Sequence, residues 1–149
     1  MNKKMPLTID EHRQIGTQLH EIYTRTLHAY CALANRLGKS KSLPKHLLKG
    51  AEHLSAARSN LDDVVYRQDR TAFDSHVYYP GTNVPEESVS FATLVGCLEA
   101  WARTIRDILG RIYCAFSVND RAVKRLEKAA AYLEWSSGTL RMAVGNGEL

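Results

Sequence analysis

EESVSFATLVGCLEAWARTIRDILGRI, residues 86–112, is the stretch that decides how this chain folds. Its apolar residues fall at Phe91, Leu94, Leu98, Trp101, Ile105, Ile108 and Ile112, in steps that alternate three and four. That spacing keeps one stripe on one side of an α-helix and suits left-handed, bundle-type packing against a neighbour. Glu86 and Glu87, just after Pro85, fit the positive end of the helix dipole. A stripe this regular needs a partner, and the sequence on both sides offers three more.

Downstream, Ser117-Val118-Asn119-Asp120 is rich in capping residues and opens a helix with Val123, Leu126, Ala130, Leu133, Ser137 and Leu140 on one side. Gly145-Asn146-Gly147 ends it. The short turn between these two helices makes them an antiparallel hairpin. At the other end of the chain, Thr8 or Asp10 caps a first helix, with Glu11 in its acidic first turn. Its stripe is Ile15, Leu19, Ile22, Tyr30, Leu33 and Leu37, widened by Tyr23, Leu27 and Ala34, and Gly38 stops it. Ser42 is placed to cap a second helix, with Pro44 in its first turn. Leu47, Ala51, Leu54, Ala57, Leu61 and Val64 form its inner side, and it fades across 67–70. The expected fold is all-α: a four-helix bundle of two antiparallel helical hairpins, one domain spanning 1–149. Residues 1–7 and 145–149 are expected to be flexible ends.

Composition agrees. A chain of 149 residues with 44% hydrophobic and 24% charged residues is an ordinary globular protein with room for a core. No apolar run reaches the roughly 18 residues needed to span a membrane. MNKKMPLTIDEH has no apolar stretch of the kind a secretory signal carries, so a cytoplasmic location and no membrane partner are expected. Cys31, Cys97 and Cys114 are odd in number and dispersed, which argues for buried free thiols rather than disulfides or zinc. The net charge of +4 leaves room for an acidic partner.

The segment TAFDSHVYYPGTNVPEES, residues 71–88, is the long loop between the second and third helices. Connections this long without structure of their own are uncommon in small domains and are usually functional or disordered. Phe73, His76, Tyr78 and Tyr79 make it too aromatic for a plain linker. It is expected to cross one end of the bundle, either displaying those residues to a partner or using them as a lid over the core.

Two short resemblances offer catalytic alternatives. Arg70-Thr71-Ala72-Phe73-Asp74-Ser75-His76-Val77-Tyr78 resembles the Arg-x(4–6)-His motif of the HEPN superfamily, which contains many RNases. The resemblance implies metal-independent RNA cleavage, with His76 as general acid or base, Arg70 steadying phosphate charge and Tyr78 following in a His-x-Tyr arrangement. His46-Leu47-Leu48-Lys49-Gly50 resembles the His-x-x-Lys-Gly motif of histidine phosphotransfer domains. There the resemblance implies His46 as phosphoryl acceptor, Lys49 as its charge support and Gly50 as the point of close approach. The plainer readings, a loop covering the bundle and a solvated basic helix start, are preferred.

Arg121, Lys124, Arg125 and Lys128 fall on one side of the fourth helix, a stripe able to contact nucleic-acid phosphates. No stacking aromatics are evident among them. Metalloprotease, nucleophile-elbow and nucleotide-binding motifs are absent, so no metal and no cofactor are expected. Taken together, the residues point to a non-catalytic binding protein rather than an enzyme. Its partner would be another protein or a second copy of itself, with nucleic acid as a further contact. The working residues would be Phe73, His76, Tyr78, Tyr79, Arg121, Lys124, Arg125 and Lys128.

Overall fold

The computed structural model describes residues 6–71, 74, 76–116 and 120–149. They form four α-helices and no strand: α1 Ile9–Leu37, α2 Ser42–Gln68, α3 Phe91–Ile112 and α4 Arg121–Gly145. Phe73, expected at the binding loop, lies outside the described residues, as do Ser117, Val118 and Asn119.

Helix ends follow local chemistry. Thr8 and Glu11 close a capping box on α1: the Thr8 hydroxyl accepts from the Glu11 amide at 3.1 Å, and the Glu11 carboxylate accepts from the Thr8 amide at 3.0 Å. Gly38, at φ 98°, ends the helix in a conformation that side chains resist. On α2 the boundary moves by one residue. Lys41 takes the cap position without a side-chain hydrogen bond, and Ser42 is already helical. Pro44 permits this because amides of the first turn have no helical acceptor to lose. On α4, the Asp120 carboxylate accepts from the Ala122 amide at 2.9 Å.

α3 starts later than the acidic pair suggested. Ser90 is its cap, with its hydroxyl accepting from the Thr93 amide at 3.1 Å. Glu86 and Glu87 stay in the preceding segment, where Glu87 pairs with Arg25 at 3.6 Å.

Pairings along the helices fix the topology. Arg106 meets Glu134, Tyr113 meets Glu127 and Arg141 meets Glu99, so α3 and α4 are antiparallel. Gln68 meets His12 and Arg58 meets His20, so α1 and α2 are antiparallel. His46 meets Trp135 and His53 meets Arg125, so α2 and α4 are antiparallel too. The helices therefore neighbour one another in the order α1, α2, α4, α3, and α1 touches α3 only lightly.

This arrangement makes α2 and α3 parallel, so their connection has to return along the length of the bundle rather than cross one end. It runs up α1 as a strap: Asp74 lies at Arg13, Val77 at Gly16, Thr82 at His20 and Glu87 at Arg25. The bundle is thus of the kind with one long crossover connection.

The apolar stripes meet in one core. Leu94, Leu98, Ile105, Ile108 and Ile112 of α3 are buried with Val123, Leu126, Ala130, Leu133 and Leu140 of α4. Phe91 and Trp101 are only half-buried, because they face the open α1–α3 seam. The cysteines depart from expectation: Cys31 and Cys114 are exposed and Cys97 is half-buried. Both ends of the described chain touch the core, through Leu7, which is buried, and Leu149, which packs against it.

Candidate functional site

The strap is pinned by a buried polar network. Tyr78 is 0% exposed, and its hydroxyl donates to His12 Nδ1 at 2.5 Å. The other ring nitrogen, Nε2, donates to Gln68 Oε1 at 3.4 Å, and Gln68 Nε2 donates to the Leu7 carbonyl at 2.6 Å. Neutral His12 satisfies this chain, and burial holds its pKa below the ordinary histidine value, against the opposing pull of Gln68 and Glu11. Burial pushes the Tyr78 phenol well above its ordinary value, so it stays a proton donor.

Arg58 secures the same turn. It is 5% exposed and donates to the Tyr78 carbonyl through Nε at 3.0 Å and Nη2 at 2.9 Å. Its guanidinium lies 4.5 Å from the Tyr79 ring centroid and 5.1 Å from that of Tyr23. Nη2 also donates to His20 Nδ1 at 3.4 Å, and His20 Nε2 donates to the Thr82 carbonyl at 2.9 Å. A buried cation is costly unless its donors are satisfied, and here a backbone carbonyl and two aromatic faces receive it. Gly16 leaves the room: a Cβ there would sit 2.0 Å from the Val77 carbonyl oxygen.

Tyr78 is therefore core, with no surface left for a partner. Tyr79 keeps 41% of its surface and rests on Arg58. His76 is exposed and paired with Asp74 at 3.0 Å, while Arg70 lies over Tyr66 at 5.3 Å. The contacts of Arg70 and His76 thus draw them to different neighbours. The RNase arrangement also loses Tyr78, whose phenol is committed to His12.

The other concentration of chemistry lies on the outer face of α2 and α4. Gly50 lets these helices approach closely; a Cβ there would lie 3.4 Å from the Tyr132 Cβ. Across the seam runs a ladder of rings. His53 stacks on Tyr132, with centroids 5.6 Å apart and planes at 12°. Tyr132 meets His46 at 5.6 Å, and His46 stacks on Trp135 at 4.0 Å and 23°. His46 Nδ1 donates to the Ser42 carbonyl at 2.6 Å, which fixes its ring plane. Trp135 remains 42% exposed.

Basic side chains border this ladder. Arg125 Nη1 donates to His53 Nδ1 at 3.0 Å. Burial first, then Arg125, Lys128 and Lys49, hold the His53 pKa below its ordinary value, with Glu52 opposing. Helical spacing puts Arg121, Arg125, Lys128, Tyr132 and Trp135 on one side of α4, so two aromatics continue the basic stripe. Lys124, three residues after Arg121 and four before Lys128, borders the same side. Tyr132 and Trp135 continue the stripe at helical spacing and were legible in the sequence; His46 and His53, which complete the ladder, come from α2 and were not. The residues of the phosphotransfer resemblance also belong here. His46 has one ring face covered by Trp135, Lys49 joins the positive field, and Gly50 serves helix packing.

A third feature is a cavity of about 410 Å³ at the α1–α3 seam, between Ala29 and Ala32 on one side and Phe91, Cys97 and Trp101 on the other. Among the described residues, no helix is long and apolar enough to cross a membrane, and no group of three His, Cys, Asp or Glu is arranged to hold a metal ion. No protein-family model matches this chain, and neither a curated protein nor a solved structure is significantly similar to it.

Proposed function

We propose that this chain is a cytosolic, non-catalytic binding protein whose working surface is the α2/α4 face and whose partner is nucleic acid. The observation that carries the reading is the positive field at His53, where Arg125 donates directly and Lys49 and Lys128 add to the charge. Mutual repulsion in this exposed cluster, partly offset by Glu52, falls when a phosphate backbone lies across it and releases its counterions. Arg121 extends the cluster towards the start of α4, and Trp135 gives it an exposed aromatic end. The loop is the weaker candidate for a partner surface, since Tyr78 is used inside the fold.

The test is binding of a labelled oligonucleotide, followed by fluorescence anisotropy across a salt series. Wild-type protein should bind at about 50 mM salt, and the logarithm of its affinity should fall linearly with that of salt concentration. Replacing Arg125 and Lys128 by glutamate should remove about one unit of that slope for each phosphate no longer neutralised. An unchanged affinity and slope in the double variant would refute the assignment of this face.

A further inference from the structure

The ring ladder makes a more specific statement about the ligand, one that rests on the reading of this face as the nucleic-acid surface. We infer that the face takes single-stranded rather than double-stranded nucleic acid. An unpaired base stacks on the outer side of Trp135, and phosphates run past Lys128 and Arg125.

Three observations support this. Trp135 is a large ring left 42% exposed beside a positive cluster, and its covered side is occupied by an imidazole stacked on it 4.0 Å away at 23°. A third ring added on the open side would continue a stack that the protein has already begun. Along the length of a strand only unpaired bases can present a flat face this way, because inside a duplex each face is occupied by its neighbours.

Second, the platform is held in place before any ligand arrives. The Ser42 carbonyl holds His46 at 2.6 Å, Tyr132 abuts it at 5.6 Å, and Tyr132 is in turn backed by His53. A base that lands on Trp135 therefore meets a ring whose supporting partner is already ordered, which lowers the entropy lost on binding. Third, the strip is short. Arg125 and Trp135 are ten residues apart on α4, about 15 Å along the axis. Even counted from Arg121, fourteen residues and about 21 Å, the strip is shorter than the roughly 34 Å of a duplex turn and accommodates a few nucleotides of a flexible strand.

The experiment compares a short oligothymidylate with a duplex of equal length at about 50 mM salt, using wild type, Trp135→Ala, Trp135→Phe and Lys128→Glu. The single strand should bind wild type at least about tenfold more tightly than the duplex. Trp135→Ala should cost the single strand on the order of tenfold in affinity and leave the duplex unchanged, and Trp135→Phe should keep most of the binding. Equal binding of both forms overturns the inference, as does a Trp135→Ala variant with wild-type affinity for the single strand. If in either case Lys128→Glu still weakens binding, the nucleic-acid reading stands and the stacking reading falls. Failure of both forms to bind wild type at that salt removes both readings. Trp135 lies at the surface, so circular dichroism of the alanine variant should match wild type.

Discussion

Replacing Gly16 with alanine should destabilise this protein, although alanine is the better helix former. Gly16 lies inside α1, where the exchange would normally stabilise by about 1 kcal/mol. Here the new Cβ would lie 2.0 Å from the Val77 carbonyl oxygen, 2.9 Å from the Val77 carbonyl carbon and 3.1 Å from the Tyr78 Cα. All three are backbone atoms of the strap. Ordinary contact is near 3.5 Å, so the strap has to retreat by about 1.5 Å. Tyr78 moves with it, and the two hydrogen bonds from Arg58, at 3.0 and 2.9 Å, stretch beyond useful length. Weakening hydrogen bonds to a buried charge costs about 1.5–3 kcal/mol, and loosening the buried Tyr78 ring adds to that. After the helix-propensity gain is subtracted, the hydrogen bonds alone leave a net loss of about 0.5–2 kcal/mol, which the loosened ring increases. Gly138 in α4 provides the control, since a Cβ there meets nothing within 4 Å. Gly138→Ala should leave stability unchanged or raise it by up to about 1 kcal/mol. Urea denaturation followed by circular dichroism measures both, with the midpoint compared at constant slope. A Gly16→Ala protein as stable as wild type would refute the idea that α1 and the strap are held at this distance.

Two further outcomes follow from the same network. Tyr78→Phe keeps the ring but leaves His12 Nδ1 without its donor, so the variant should lose about 1–3 kcal/mol in the same urea titration. Stability should also fall as pH drops below 6.5, the ordinary histidine value. Folded His12 is held neutral by a lowered pKa while the unfolded chain takes up a proton near that value, so the unfolded state binds more protons there and acid favours it. His12→Gln should reduce this slope, leaving the part that His53 contributes in the same range; a wild-type curve level between pH 7 and 5 would show that His12 is not held neutral by the fold.

The four helices, most of their inner sides and the caps of α1 and α4 could be read from residue order because each depends on neighbours within a turn or two, while the starts of α2 and α3 fell at Lys41 and Ser90 instead. Thr8 with Glu11, Gly38 as a stop, and the three-four stripes of α3 and α4 all carry local signals. The charge stripe on α4 was legible for the same reason. What needed tertiary structure is what involves two elements. The direction of α3 relative to α2, and hence the course of the 71–88 segment along α1, is set by which stripes pair, and a stripe has no intrinsic partner. The burial of Tyr78, His12 and Arg58 depends on that course. No spacing rule links residues 12, 58 and 78, and the one sequence hint, Gly16 within a helical pattern, has meaning only once a backbone approaches it. The ladder His53–Tyr132–His46–Trp135 is likewise assembled across a seam, its rings alternating between α2 and α4. Residue order therefore determined four amphipathic helices and an unusual loop, because those are local properties of the chain. Packing decided that the loop is a fastened strap and that the exposed aromatic surface lies elsewhere, because both arise from contacts between residues far apart in sequence.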